Sequence, residues 1–233
     1  MAAKRPRLYF SFRSPYSWLA VERLTRALGR PQEVLEFVPY WDPDARTEAA
    51  LTARGGTFHY VQMSKPKHLY LLQDAKRQAQ RLGLAMRWPI DIDPWWEVPH
   101  LGWLAARERG AGEAFYREVI AARWQRGEDV CTSEVIARVA ERAGVDPAVV
   151  LDAVENSAVR AAGVDCLLRA YEEDIFGIPY LRLGPHRFWG VDRVDDFLAA
   201  YAERTGTPVT TPAPPAVPAG VGGYDTDTGG GCG

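Results

Sequence analysis

Three short stretches carry residue types able to do chemistry, and each sits where one predicted element gives way to another. Arg13-Ser14-Pro15-Tyr16-Ser17 follows a strand-like run, Leu8 to Phe12, and precedes an apolar helical pattern. Proline suits the first helical position, where its missing N–H would have no partner, and the serine before it is a favoured N-cap. Ser14 therefore either caps a helix and does nothing else, or also offers its hydroxyl to a ligand. The second stretch, Gly177-Ile178-Pro179-Tyr180, opens a strand with proline, an ordinary first-strand position. With a cis bond there, the Ile178 backbone would face solvent and an extended peptide could pair with it as an added strand. The third, Trp189-Gly190-Val191-Asp192-Arg193, reads as a glycine turn with Asp192 as N-cap and Arg193 on the surface. A ligand carrying both an amine and a carboxylate would use that acid and base differently.

Other chemistry-bearing residues are less ordered. Lys65-Pro66-Lys67-His68 places positive charge before a helix, as a solvated basic turn also would. His59, His68, His100 and His186 show no metal-ligand spacing, so no metal is expected. Cys131, Cys166 and Cys232 are far apart and form no C-x-x-C pair, which removes both a dithiol redox motif and a zinc site from the expectations. Trp88, Trp95, Trp96 and Trp103 are interleaved with Pro89, Pro94 and Pro99. Large apolar rings are core fillers, and in a loop entering a helix they also suit the wall of an aromatic pocket.

These stretches need a scaffold, and the composition provides for one. The chain has 233 residues, 47% hydrophobic and 25% charged, with a formal net charge of -2. That is enough chain to bury a substantial core, and the balance gives no polyanion-binding footprint, so no nucleic-acid partner is expected. The basic residues from Met1 to Arg7 lead into too few apolar residues for a signal core or a membrane span. A cytoplasmic protein with reduced thiols is the expectation.

Strand 8–12, helix 15–28 and strand 33–40 form a first strand-helix-strand unit, which favours a parallel pair. From Asp44 to about Gly177 the pattern is helical, with helices predicted at 67–82, 100–109, 114–126, 133–143, 147–157 and 157–174. Strands at 180–183 and 187–189 then form a hairpin around Gly184-Pro185, and 192–201 is a closing helix. The implied architecture is α/β, a sheet split into strand-helix-strand and strand-strand-helix around a large all-helical insertion. Its parts are residues 7–40 with 177–203, the insertion 44–176, and a Pro-, Thr- and Gly-rich tail, 205–233, that cannot offset its ordering entropy and is expected to be disordered.

Taken in order, Phe12-x-Ser14-Pro15-Tyr16-Ser17, Phe176-Gly177-Ile178-Pro179 and Trp189-Gly190-x-Asp192-Arg193 resemble the 2-hydroxychromene-2-carboxylate isomerases and kappa-class glutathione transferases. The resemblance spans roughly residues 7 to 203 and implies a thioredoxin-like fold with a helical insertion, with a homodimer as a further implication. It also implies glutathione, or another low-molecular-weight thiol, with its sulfur at Ser14, its backbone beside Ile178 and Pro179, and its γ-glutamyl end at Asp192 and Arg193. A family lysine before a helix maps to Lys65 or Lys67. Tyr16, Trp95, Trp96 and His100 are the candidates for a pocket that takes an aromatic substrate.

The implied chemistry is thiolate addition to a conjugated alkene, rotation about the former double bond and elimination. If the adduct instead departs, the protein is a kappa-like transferase. If no chemistry follows, it is a noncatalytic thioredoxin-like module that holds a peptide or thiol. A hydroxyl donor at a helix N-terminus favours the thiolate form of a bound thiol, and serine itself cannot form a disulfide. The sequence departs from the family pattern in having Ser64-Lys65-Pro66-Lys67 for Asn-Lys-Pro-Pro, Ser11 for an acid at the end of the first strand, and His100 for an asparagine.

Overall fold

A computed structural model describes residues 5–59 and 63–209. The sheet has four strands in the order β2-β1-β3-β4: β1 is Arg7–Phe10, β2 Glu36–Pro39, β3 Tyr180–Leu183 and β4 His186–Trp189. β1 pairs parallel to β2 with Leu8 opposite Phe37, and antiparallel to β3 with Leu8 opposite Leu181. Central placement explains why Leu8, Tyr9 and Phe10 are all buried: a strand covered on both faces needs a continuous apolar run rather than alternation. β3 and β4 close the predicted hairpin. The fold is thus the expected thioredoxin-like one, a mixed four-stranded sheet with the long helical stretch between its two halves.

Ten α-helices are described: α1 Pro15–Leu28, α2 Pro31–Val34, α3 Ala45–Ala53, α4 Lys65–Arg81, α5 Glu97–Glu108, α6 Gly112–Ile120, α7 Ser133–Arg142, α8 Pro147–Asp152, α9 Ser157–Glu172 and α10 Val194–Thr205. Several expectations need correction. The strand predicted at 33–40 begins later, because Pro31 starts the one-turn α2 and Leu35 ends it. α3 was not among the predicted helices: it buries only Thr47 and Leu51 and so has almost no apolar period, and the Asp44 side chain caps it by accepting the Thr47 N–H. The helix predicted at 114–126 is α6 followed by a π-helical turn, Ala121–Arg126, that ends at left-handed Gly127. The helix predicted at 147–157 stops at Asp152. Asp192 is not the cap of the last helix; it lies in a 3₁₀ turn, Val191–Arg193, and α10 starts at Val194. Thr205 ends α10, and residues 210–233 of the predicted tail lie outside the described residues.

α5 is buried on every side from Glu97 to Ala106, as a helix packed among other helices must be. It contacts α6, α8 and α9. Gly102 permits the α8 contact, since a β-carbon there would lie 2.7 Å from Val150 Cγ1. Insertion and sheet meet through rings: Phe10 packs edge-on against Trp103 of α5 and Tyr116 of α6, with centroids 5.3 Å away in each case, and also against Phe12 and Phe37. Each such pair adds about 0.5–1.5 kcal/mol beyond area burial. Phe10→Ala is therefore expected to cost about 3–5 kcal/mol of unfolding free energy in a urea titration; a cost under about 1 kcal/mol would show that the two layers do not depend on this contact.

Candidate functional site

The recess lies where β1, β2 and the Ile178–Pro179 bond meet, and it is lined by Ser11, Arg13, Ser14, Tyr40, Trp41, Asp42, Phe58 and Ile178. Its volume is about 10 Å³, room for about one water. Three turns and Phe58, which packs on Tyr40 from the segment after α3, supply the walls. The first, from Ser11 to Ser14, ends at the α1 cap, where Ser14 Oγ accepts the Ser17 N–H at 3.2 Å. Ser14 is only 4% exposed. Accepting at the oxygen leaves the hydroxyl proton to donate, and no acceptor for it is present among the described residues. Capping and presentation of a donor thus coexist in one side chain.

A buried polar chain holds that turn. The Ser11 N–H donates to Ser17 Oγ at 3.2 Å, and the Arg13 N–H donates to Ser11 Oγ at 3.2 Å. His100, fully buried on α5, completes the chain. Its Nδ1 lies 2.7 Å from the Trp96 carbonyl, an acceptor, so Nδ1 carries the proton; Nε2 then accepts from the Phe12 N–H at 3.1 Å and the Ser11 hydroxyl at 3.2 Å. The imidazole stacks on Trp41 at 5.1 Å and lies against Phe12 at 5.1 Å. Burial drives its pKa down to about 3, the Trp96 carbonyl opposes the shift and the Arg123 charge adds to it. His100 is therefore a neutral anchor for the backbone.

The second turn, Tyr40 to Asp44, leaves β2. Arg13 pairs with Asp42 across the mouth of the recess, and burial keeps the Asp42 carboxyl above its ordinary value although Arg13 draws it down. Tyr40 donates its hydroxyl to the His59 carbonyl at 2.7 Å. At the end of the turn, buried Glu97 accepts the Asp44 N–H at 2.6 Å. Arg160 of α9 binds the Asp44 carboxylate and the Thr47 hydroxyl. Burial alone would raise Asp44, but Arg160, the Thr47 N–H and Trp95 together hold it at about 2. The third turn carries the Ile178–Pro179 bond, which is cis. Beside it the Trp189 indole lies flush against Gly177, where a β-carbon would come within 2.7 Å of Nε1.

The structure brings Ser14 and Ile178 together in the lining of one recess, with Pro179 bonded to Ile178, and places the other predicted residues outside that lining. Pro179 accepts the Gly190 N–H at 2.9 Å, which ties the cis turn to the segment bearing Asp192 and Arg193; both are exposed, and Arg193 lies 3.8 Å from Asp196. Lys65 and Lys67 are exposed on the first turn of α4 and are not in the lining. The Tyr16 hydroxyl donates to Asp74 of α4 at 2.7 Å. Trp95, 38% exposed, donates to Asp44. Trp96 is buried under the Arg123 guanidinium, 4.7 Å from the ring. Tyr16, Trp95, Trp96 and His100 are thus outside the lining of this recess, whose aromatic residues are Tyr40, Trp41 and Phe58. Sequence reasoning passed over Tyr40-Trp41-Asp42, although ligands bind at the carboxyl ends of strands and this triplet directly follows β2.

A family model described as the DSBA-like thioredoxin domain matches residues 7–202. A 2-hydroxychromene-2-carboxylate isomerase of Sphingobium xenophagum is 27% identical over 198 residues, covering 83% of this chain and 95% of that protein. One of Pseudomonas putida is 27% identical over 187 residues, covering 80% and 88%. Among solved structures, a 2-hydroxychromene-2-carboxylate isomerase superimposes with a TM-score of 0.66 and 25% identity, covering 85% of this chain and 95% of that one. The cytosolic disulfide reductase DsbM of Pseudomonas aeruginosa, solved with GSH, gives 0.56 at 16% identity with 87% and 99% covered, a likeness of fold alone.

The buried imidazole has a pH signature. Its folded pKa lies below the ordinary 6.5, so the stability it contributes is complete above about pH 6.5 and is lost as pH falls towards 3, because the unfolded chain takes up the proton first. His100→Gln should flatten the pH dependence of unfolding free energy between pH 6 and 4 by up to about 1.4 kcal/mol per pH unit. An unchanged slope in denaturant titrations across that range would contradict the neutral, buried assignment.

Proposed function

The chain belongs to the DSBA-like thioredoxin domain family, and we propose that it is a glutathione-dependent isomerase of an aromatic or conjugated unsaturated substrate. The observation that carries this reading is the Ser14 hydroxyl, its oxygen engaged by the α1 cap and its proton available, in a recess shared with the residue before a cis-proline. That donor, with the α1 N-terminus behind it, suits the sulfur of a bound thiol, whose ionised form both would stabilise. The names of the curated relatives support the substrate class.

Glutathione would supply a nucleophilic sulfur that adds reversibly to a conjugated double bond, allows rotation and leaves again. Ser14 orients the sulfur and holds a proton at Oγ. Ile178 flanks the thiol, and Asp192 and Arg193 recognise its amine and carboxylate end. Tyr40, Trp41 and Phe58 give the site its apolar wall, and the Arg13–Asp42 pair stands at the mouth. Lys65 or Lys67, on the exposed first turn of α4, adds positive charge for the same ligand.

Dithiol exchange is a poorer fit. The α1 junction has hydroxyls at Ser14 and Ser17, and burial raises the thiol pKa of Cys131 strongly and that of Cys166 to about 11. Thiols of that kind are nearly all protonated at neutral pH.

Ser14→Ala should lower turnover of 2-hydroxychromene-2-carboxylate with glutathione by about 100-fold or more, and it should cost only about 0.5–2 kcal/mol of stability as a lost cap. Full turnover by that variant would remove Ser14 from the mechanism. In isothermal titration, glutathione should bind saturably, and Arg193→Ala should weaken it. Absence of binding by the unmodified protein would overturn the glutathione assignment.

A further inference from the structure

α5 presents two buried polar side chains one turn apart, and each reaches a different loop of the recess. His100 accepts the Phe12 N–H and the Ser11 hydroxyl, two and three residues before Ser14. Glu97 accepts the Asp44 N–H, where the loop carrying Trp41 and Asp42 ends. Glu97 and His100 are 1% and 0% exposed, and the His100 ring also lies face to face with Trp41. Neither residue is itself part of the lining; each bears on it through the loop it holds. Both loops leave the carboxyl ends of neighbouring parallel strands, and hydrogen bonds across the sheet stop at Pro39 and Phe10 apart from the Tyr40 N–H to Phe10 carbonyl bond. Beyond that point the spacing of the two walls is no longer set by the sheet.

We propose that Glu97 and His100 are positioning residues that act as a pair, using the rigid axis of α5 as a splint between the Ser14 turn and the Trp41-Asp42 turn. A helix fixes the separation of residues i and i+3 at about 5 Å along its surface, so two acceptors on one turn set two loops at one distance. The Arg13–Asp42 pair closes across the same gap and follows the spacing the splint imposes. The inference rests on the reading of Ser14 as the group that orients a thiol, because it assigns the splint to the geometry of that hydroxyl.

The test uses side chains that keep or lose one acceptor. In His100→Gln the amide oxygen reaches the place of Nε2, whereas in His100→Asn the amide reaches only the place of Nδ1. Glu97→Gln retains an acceptor for the Asp44 N–H, and Glu97→Leu does not. Expected are kcat losses of about 100-fold in His100→Asn and Glu97→Leu, with the KM for glutathione within about threefold of the parent. His100→Gln and Glu97→Gln should recover most of the loss. Without any ligand, amide hydrogen exchange should quicken at Phe12 and Ser14 in His100→Asn and at Asp44 in Glu97→Leu, while α7 and α8 keep their protection.

Equal losses in the conservative and disruptive variants, or unchanged exchange at Phe12, Ser14 and Asp44, would overturn the splint. Should the unmodified protein neither bind nor use glutathione, the functional reading fails by itself, and the exchange measurements still decide whether α5 sets the two loops.

Discussion

The constraint on which the site depends is that a sharp turn buried between a strand and a helix must still satisfy its backbone donors. Ser11, Phe12 and Ser14 are buried, and a buried unpaired N–H costs as much as a lost hydrogen bond. The chain answers with side chains: Ser17 takes the Ser11 N–H, Ser11 takes the Arg13 N–H, and His100 takes the Phe12 N–H. This works only with a neutral imidazole, because a protonated ring would present donors at both nitrogens. The Trp96 carbonyl selects the tautomer, and stacking between Phe12 and Trp41 keeps the ring dry.

The helical insertion is therefore more than a cover for the sheet. α5 reaches the sheet apolarly through Trp103 and polarly through Glu97 and His100, while α9 adds Arg160 to the same loop at Asp44. Buried charge is costly unless paired, and the two buried arginines are paired with residues distant in sequence: Arg160 with Asp44, and Arg123 bidentate to Asp91 at 2.8 Å between the Trp96 and Trp124 rings. Such contacts contribute modest net stability. Their larger effect is to exclude alternative packings of the insertion, because any other arrangement leaves a buried charge alone.

The sheet was legible because its strands are apolar runs bounded by turn residues, and α1 because Ser14-Pro15 and Gly29 mark its two ends. α3 was hidden by its lack of an apolar face, and the π-helical turn by its continuity with α6: the one-residue widening at 121–126 leaves no periodic mark in so short a segment. Around the recess, Ser14 and Ile178 were visible through local turn chemistry. His100 stands out in the sequence, but its hydrogen-bond partners do not. Its role depends on a residue 88 positions earlier, and sequence spacing has no access to such a pairing. For a related reason the density of Trp95 and Trp96 is visible without their contacts: one indole N–H goes to Asp44 and one ring face to Arg123.

The serines at 14 and 17 occupy the first turn of α1 and the position before it, with Pro15 and Tyr16 between them. Hydroxyls do not couple oxidatively, so this junction has a single covalent state at any ambient potential. No electron donor is needed to regenerate it, no partner protein has to recognise a spent form, and a change of compartment from reducing to oxidising leaves the atoms around the recess as they were.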